Sequence, residues 1–291
     1  MVPILFESRF MKKKTDLSKK KRVVVKVGSN SLVHKRTGKT DFIKLERLAM
    51  ELASLSNRGV DVVLVSSGAI ATGRQIMGIR QKPTRLPQKQ ALASVGQASL
   101  MGLYQQFFSK YQKSVGQVLM TKNTILDDVS RKNAQNTFEE LFSMGVIPIV
   151  NANDTVSTYE IRFGDNDTLS AIVTSLVGAD LLILLSDIDG LYTADPRDNK
   201  DAEFVSYVDR IDDKLLSMGS SKAGSDIGSG GMKTKLTAAR IATSSGADMI
   251  IAKADDMSVI HRLFENERLG TFFASHYDEF FDVVDFTSRM G

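Results

Sequence analysis

The sequence predicts an α/β protein with a three-layer α/β/α sandwich around a mostly parallel central sheet. Short apolar runs alternate along the chain with amphipathic helical stretches, and this alternation is typical of βαβ units. The apolar runs do not alternate with polar residues, as expected of parallel strands that helices cover on both faces. The 291 residues, 42% of them hydrophobic and 25% charged, are enough to build one large core of this kind.

Each predicted strand is a short apolar run that a polar residue or a glycine closes. The predicted strands span residues 22–27, 60–65, 115–120, 146–150, 180–185 and 249–252. The predicted helices carry apolar residues at helical spacing, and they span residues 41–58, 88–111, 131–144, 168–177 and 233–245. A glycine follows most of these helices, in the position that favours a left-handed C-cap.

Composition excludes several classes of protein. Cysteine is absent, which excludes disulfide scaffolds, thiolate metal sites and cysteine nucleophiles. The three histidines are His34, His261 and His276, and they are too far apart along the chain to show zinc-ligand spacing. No apolar run approaches the roughly 18 residues that a membrane helix requires, so a cytoplasmic protein without a membrane partner is expected.

The basic charge of the chain is concentrated at its start. Residues 1–22 contain eight Lys or Arg against Glu7 and Asp16, whereas the remaining residues carry 30 basic and 32 acidic side chains. We therefore predict a basic, disordered head over residues 1–21, a single domain over 22–270 and a tail over 271–291. The slightly acidic body gives no support for a nucleic-acid partner, although the head could touch anionic partners.

Ligands of open α/β sheets bind at the carboxyl ends of the strands, where this sequence places two small polar loops. Lys26 and Gly28 end the first predicted strand, and an ammonium group there suits a phosphate, although a surface lysine on a frayed strand end is an equal alternative. Ser67 and Gly68 follow the second strand. They permit close approach of a carboxylate or phosphate, but they also fit an ordinary serine turn into a helix.

Carboxylates and amides cluster at two further places. Residues 151–154 read Asn-Ala-Asn-Asp after a buried strand, and residues 164–167 read Gly-Asp-Asn-Asp before a helix. Helix capping explains one residue of each group but not all of them. Clustered carboxylates must be offset by cations, which could be lysines, Mg²⁺ or a substrate ammonium group.

A glycine-rich stretch over residues 224–235 leads into a helix that carries Lys233 and Lys235. A helix N-terminus with a lysine beside it is typical of an anion site, and a flexible linker is the alternative. The stretch matches neither a Walker A loop nor a dinucleotide fingerprint. Residues 186–197, after a buried strand, could lie against a nucleotide base and ribose or form an ordinary loop.

Taken together and in this order, the segments resemble the amino acid kinase family over roughly residues 22–270. The segments that resemble it are VVVKVGSNSL (23–32), VLVSSGAIATG (63–73), KQALASVGQASLM (89–101), VIPIVNANDTVS (146–157), FGDNDTLSA (163–171), LLSDIDGLYTADPR (184–197) and GSGGMKTKLTAARIA (228–242). Each segment alone is a weak signal, whereas the joint match is highly specific.

The resemblance implies ATP-dependent phosphorylation of the γ-carboxylate of L-glutamate to γ-glutamyl phosphate, the first step of proline biosynthesis. Two alternatives remain within the same fold. One is a kinase of another small carboxylate such as N-acetylglutamate, aspartate or carbamate, and the other is a non-catalytic sensor of ATP or an amino acid.

The resemblance also implies a role for individual residues. The implied catalytic residues are Lys26, Lys235 and Asp167, and the implied glutamate-binding residues are Ser67, Asp154 and Asn166. Of these, Asp154 would bind the α-ammonium group, and Ser67 and Asn166 the carboxylates. The backbones of Gly28 and Gly68 would line the phosphoryl site. The implied ATP-binding residues are Lys26, Ser186, Asp187, Ser229, Gly230, Gly231, Met232, Lys233, Thr234 and Lys235.

The family further implies Mg²⁺ with the ATP and association into a homo-oligomer, either a dimer or a tetramer. The sequence departs from the family pattern at Ala152, where many relatives have an acidic residue. Many glutamate-phosphorylating members also carry a C-terminal PUA domain. Residues 271–291 are too few for such a domain, so we expect a short form that contains the kinase domain alone.

Overall fold

The computed structural model describes residues 16–34, 36–156, 166–196, 198–218 and 231–289. The strands within these ranges are β1 (Arg22–Val27), β2 (Asp61–Ser66), β3 (Val115–Met120), β4 (Ile147–Ala152), β5 (Leu181–Ser186), β6 (Leu191–Tyr192), β7 (Phe204–Val205), β8 (Tyr207–Val208), β9 (Asp248–Lys253) and β10 (Thr271–Phe273). The α-helices are α1 (Phe42–Asn57), α2 (Ala69–Ile76), α3 (Leu86–Ser109), α4 (Lys122–Leu126), α5 (Asp128–Ser143), α6 (Asn166–Leu176), α7 (Asp213–Met218), α8 (Met232–Ser244), α9 (Val259–Phe264) and α10 (Val283–Arg289).

The described strands form an eight-stranded sheet in the order β3-β4-β2-β1-β5-β9-β10-β8. The six strands from β3 to β9 run parallel, whereas β10 runs antiparallel to β9, and β8 runs parallel to β10. Strands β6 and β7 form a separate antiparallel pair. The predicted α/β fold with a mostly parallel sheet is therefore confirmed.

Two hydrophobic clusters cover the two faces of the sheet and make the three layers. Buried side chains of α1, α3 and α9 build the first cluster, and those of α5, α6 and α8 build the second. Successive side chains of a strand point to opposite faces, and β1 follows this rule. Val23, Val25 and Val27 lie in the first cluster, whereas Val24 lies in the second.

All six predicted strands and all five predicted helices are present, with ends that move by up to a few residues. The patterns did not indicate the short elements α2, α4, α7, α9 and α10, nor the two- and three-residue strands. Elements this short contain too few residues to show a period, so their positions depend on packing against the sheet.

Residues on both sides of the predicted domain over 22–270 pack against the rest of the structure. Before residue 22, Leu17 is buried, and Lys20 Nζ lies 2.6 Å from Asp248 Oδ2 in the body of the sheet. After residue 270, Thr271–Phe273 is a strand of the main sheet, and α10 packs near α4. Residues 1–15 of the predicted head lie outside the described residues. Within the described ranges, no helix is both long and apolar enough to cross a membrane.

Candidate active site

The predicted site residues lie at the carboxyl ends of the central parallel strands. Strand β1 pairs with β2 on one side and with β5 on the other, so that Val27 lies opposite Ser66 and Leu185. The loops that leave these three strands therefore start side by side at one edge of the sheet. Strand β4, which precedes Asp154, is the next neighbour of β2. This is the edge at which open α/β sheets bind ligands.

The pleat of β1 directs Lys26 to the face that α6 covers. Lys26 is two residues from Val24 and therefore points to the same side of the sheet. Its Nζ lies 2.5 Å from Asp167 Oδ1, and only 9% of the residue is exposed. Lys26 is therefore a buried lysine paired with a carboxylate, and not a surface lysine on a frayed strand end.

A second ammonium group reaches the same carboxylate from α8. Lys235 Nζ lies 3.0 Å from Asp167 Oδ2, and the Thr234 hydroxyl donates a hydrogen bond to the same oxygen over 3.3 Å. Asp167 and Lys235 are both buried, with 1% and 5% of their surfaces exposed. Residues 26 and 235, far apart in the chain, thus meet at one aspartate in the first turn of α6.

The electrostatics of this triad follow from burial and charge together. Burial by itself raises the pKa of Asp167, because a carboxylate is poorly solvated there. The charges and hydrogen bonds of Lys26 and Lys235 outweigh burial and hold the pKa of Asp167 below its ordinary value of 3.8. Asp167 is therefore ionised at neutral pH. The three side chains then carry one positive charge in excess, which suits an anionic ligand.

Two glycines bring the backbone close to the triad. A Cβ atom added to Gly28 would lie 3.7 Å from Lys26 Nζ, so the backbone after β1 passes beside the ammonium group. Gly68 precedes α2 with a φ of 107°, a left-handed conformation that favours glycine, and it packs against Ser29. The loops after β1 and β2 are therefore in contact at the strand ends.

Asn166, the residue before Asp167, connects the triad to the loop after β2. Its Nδ2 donates over 2.7 Å to the Ser66 carbonyl oxygen and over 2.7 Å to Ser67 Oγ. It also donates over 2.9 Å to Asn151 Oδ1 at the end of β4. The structure thus brings Ser67 and Asn166 into contact. The partly buried Asp154 follows two residues after the end of β4.

Ser186 and Asp187, which were predicted to bind the nucleotide, lie at the end of β5, the neighbour of β1 on the side away from β2. Ser186 ends β5, where its hydroxyl donates to Asp187 Oδ1 over 3.1 Å. Gly231 caps α8, and Met232, Lys233 and Thr234 form its first turn. Ser229 and Gly230 lie outside the described residues, so the structure locates only part of the predicted glycine-rich cradle.

Sequence reasoning gave no role to Gln97 of α3, which contacts Asn151 of the predicted polar cluster at the end of β4. Gln97 is 9% exposed and accepts a hydrogen bond over 2.9 Å from Nδ2 of Asn151, which is 2% exposed. A signal was present in the sequence, because Gln97 lies at helical spacing between Ala93 and Leu100 on the buried face. A polar side chain in such a place requires a hydrogen-bond partner.

Comparison with known proteins agrees with this geometry. The profile of the amino acid kinase family matches residues 21–253 of the chain. A glutamate 5-kinase of Carboxydothermus hydrogenoformans is 50% identical over 253 residues, which cover 87% of this chain and 68% of the relative. A glutamate 5-kinase of Clostridium tetani is 47% identical over 253 residues, which cover 87% of this chain and 94% of the relative.

Among solved structures, the UMP kinase of Bacillus anthracis matches with a TM-score of 0.59 at 17% sequence identity. The match covers 88% of this chain and 96% of the UMP kinase, and at this identity it supports the fold alone. The family profile covers most of this chain, and the two glutamate 5-kinases are 47–50% identical to it. The chain therefore belongs to the amino acid kinase family.

Proposed function

We propose that this protein transfers the γ-phosphoryl group of ATP to the side-chain carboxylate of L-glutamate, which forms γ-glutamyl phosphate for proline biosynthesis. One observation carries the proposal, namely the meeting of the Lys26 and Lys235 ammonium groups at Asp167 beside the strand-end loops. The names of the relatives, which are glutamate 5-kinases, support glutamate as the acceptor.

The chemistry requires positive charge more than a proton acceptor. A carboxylate oxygen of the acceptor forms a bond to the γ-phosphorus while the bond from phosphorus to the bridging oxygen of ADP breaks. The acceptor is already ionised at neutral pH, so no general base is needed. Two anions must approach each other, and Lys26 and Lys235 would offset their repulsion and the charge of the transition state. Asp167 would hold both ammonium groups in place.

The acceptor would bind between the loops after β2 and β4. Asp154 suits the α-ammonium group of an amino acid because it is a carboxylate, and Ser67 offers a hydroxyl group to a carboxylate. Backbone N–H groups near Gly28 and Gly68 would line the phosphoryl site. The Nδ2 of Asn166 carries two hydrogens and already lies within hydrogen-bond distance of three protein oxygens, so this nitrogen has no hydrogen left for a substrate carboxylate.

The nucleotide would bind over Ser186, Asp187 and the start of α8, with Ser229–Lys235 around its phosphates. Mg²⁺ would accompany the nucleotide, with phosphate oxygens and water as its main ligands. In the described ranges, no group of three or more histidine, aspartate or glutamate side chains is placed to hold a metal. We therefore assign no step of the reaction to a protein-bound metal.

The family resemblance also supports a homo-oligomer in the cytoplasm. Phe42 and Ile43, at the start of α1, are 55% and 80% exposed, and adjacent exposed apolar side chains suit a contact between subunits. Light scattering on the purified protein would determine whether it is a dimer or a tetramer, and a monomer would contradict this part of the proposal.

Substitution of Lys235 tests the proposed chemistry. We expect Lys235→Met, which keeps the aliphatic stem, to lower kcat at least about 100-fold. The substitution removes one group that stabilises negative charge in the transition state, and losses of this kind have that magnitude. The measurement is glutamate-dependent ADP release, with circular dichroism to verify the fold. Arg240→Ala, which removes an exposed charge from the same helix, is the control and should retain normal activity. Near-normal activity of Lys235→Met would contradict the proposal.

A panel of acceptors separates the remaining alternatives. Hydroxylamine traps acyl phosphates, so it reports which acid the enzyme phosphorylates. We expect product with L-glutamate and little with N-acetyl-L-glutamate, because the acetylated nitrogen has no positive charge for Asp154 to bind. Product with another acid alone would change the assigned substrate. ATP binding without product from any acid would favour a sensor.

A further inference from the structure

Four carboxamide side chains form a continuous hydrogen-bonded row that runs from β3 to the first turn of α6. We call this row the amide relay, and its members are Gln117, Gln97, Asn151 and Asn166. Gln97 Nε2 donates to Gln117 Oε1 over 3.1 Å, Asn151 Nδ2 donates to Gln97 Oε1 over 2.9 Å, and Asn166 Nδ2 donates to Asn151 Oδ1 over 2.9 Å.

Backbone groups at two points fix the direction of the relay. The Ala152 N–H donates to Asn151 Oδ1 over 2.9 Å, and this oxygen must therefore be an acceptor. The Ser66 carbonyl oxygen can only accept, so the atom of Asn166 that lies 2.7 Å from it must be the nitrogen. If either asparagine turned its amide over, it would place a donor against a donor or an acceptor against an acceptor. Asn151 therefore directs its nitrogen to Gln97, and Gln97 must present its oxygen to Asn151.

This direction determines which atom of Asn166 is left for a ligand. The nitrogen serves the oxygens of Ser66, Ser67 and Asn151, whereas among the described residues Asn166 Oδ1 accepts no hydrogen bond. An amide oxygen accepts hydrogen bonds and is attracted to a cation. Asn166 Oδ1 is therefore suited to an ammonium group, next to the end of β4 that Asp154 follows.

Gln97 is the member of the relay that the rest of the site cannot replace. Asn151 is 2% exposed, so water cannot easily take the place of the Gln97 oxygen that its Nδ2 now uses. Loss of that oxygen would leave a buried donor without a partner, and the Asn151 carboxamide would gain from moving away. Asn151 Oδ1, and with it the Asn166 amide, would lose a fixed position.

We propose that Gln97 is a positioning residue for the amino-acid acceptor. It acts through Asn151 to hold Asn166 with Oδ1 towards the α-ammonium group of the substrate. The inference rests on the proposed function, because it concerns how the same site binds its acceptor. Helix α3 would thus contribute, through Gln97, to the affinity for the acceptor and not directly to nucleotide binding.

Three variants test this role in the full-length enzyme. Gln97→Met removes the acceptor atom at similar volume, and it should raise the KM for L-glutamate about tenfold while it changes the KM for ATP less than about twofold. Gln97→Glu keeps an oxygen towards Asn151, and the exposed Gln117 can turn its amide over to donate to the second carboxylate oxygen. This variant should therefore have a KM for L-glutamate within about threefold of wild type. Gln105→Met, at an exposed position of the same helix, is the control and should behave as wild type.

The outcomes separate this inference from the proposed function. An unchanged KM for L-glutamate in Gln97→Met would overturn the positioning role and leave the proposed function intact. Equal rises in both KM values, without rescue by Gln97→Glu, would show a packing role and would also overturn it. If Gln97→Met does not fold, Gln97→Asn keeps the amide but shortens its reach, and it should show the same selective loss. A wild-type protein without glutamate-dependent turnover would contradict both proposals.

Discussion

Asp167 is a buried carboxylate whose place in the structure depends on two lysines. Burial of an ion without a partner is strongly destabilising, and here two ammonium groups share one carboxylate. The preceding residue, Asn166, contacts the acceptor side through Ser67. Two consecutive residues at the start of α6 therefore link the phosphoryl side of the site to the acceptor side.

Asp167→Asn should both inactivate and destabilise the enzyme. The substitution leaves two buried ammonium groups without a carboxylate, which costs about 3–5 kcal/mol of unfolding free energy for pairs of this kind. Urea unfolding would measure the difference from wild type, and ADP release would measure activity. A variant as stable as wild type would show that the triad contributes nothing to folding.

The difference in unfolding free energy between wild type and Asp167→Asn should depend on pH. The folded-state pKa of Asp167 is below its ordinary value, so the ion pairs contribute their full stability above pH 3.8 and lose it as the pH falls through the folded-state pKa. The difference in unfolding free energy between wild type and Asp167→Asn should therefore stay constant from about pH 8 to pH 5 and shrink below about pH 4. A difference that already shrinks between neutral pH and pH 5 would contradict the lowered pKa.

At the scale of elements, the crossing of α2 and α3 sets the backbone on the acceptor side. A Cβ atom on Gly96 would lie 1.8 Å from the Ala69 carbonyl oxygen, so the two helices touch through their backbones. Helix α2 begins directly after Gly68, and Gln97 follows Gly96 in α3. The crossing therefore places both the Ser67–Gly68 loop and the amide relay.

Gly96→Ala should separate the two helices and destabilise the protein. Overpacking of this kind costs about 1–3 kcal/mol, and a clash with backbone favours the upper end. Gly102→Ala is the matched control in the same helix, because apart from its own turns of the helix no described atom lies within 4 Å of its added Cβ. This control should gain about 0.5–1 kcal/mol from the lower flexibility of the unfolded chain and the better helix propensity of alanine. Thermal unfolding of both variants measures these effects, and equal melting temperatures would contradict the tight crossing.

Helical periodicity predicted α3 but gave no role to Gln97, because a single polar residue on an apolar face does not reveal its partner. The partner, Asn151, lies 54 residues away in β4. Strand β10 was missed for a related reason. It has only three residues, and its pairing with β9 and β8 determines that it is a strand.

At the scale of the whole molecule, loops from β1, β2, β4 and β5 meet at one edge of the sheet because these strands run parallel and lie side by side. Ligands that bind to several of these loops stabilise the folded state alone. Strand β1 pairs with both β2 and β5, so the loops proposed to bind the acceptor and the nucleotide start side by side. Binding of either ligand is therefore expected to stabilise the fold.

Ligand binding should raise the melting temperature of the protein. At a concentration about 100 times its Kd, a ligand adds about 2.7 kcal/mol, which corresponds to several degrees for a protein of this size. We expect Mg-ADP with L-glutamate to raise the melting temperature, and N-acetyl-L-glutamate to add little to the effect of Mg-ADP. Equal shifts with both acids would contradict recognition of a free α-ammonium group.

The sequence by itself determined the α/β class, the main strands and helices and the family, and it indicated the residues proposed for the phosphoryl site. These features depend on local apolar periods and on short segments that keep their order along the chain. Only the tertiary structure decided that Lys26 and Lys235 share Asp167, that Gly96 lets α3 touch α2, and that Gln97 connects to Asn166 through Asn151. Such contacts join residues distant in the chain, and their directions depend on the pleat of a strand, the crossing of two helices and the orientation of buried amides.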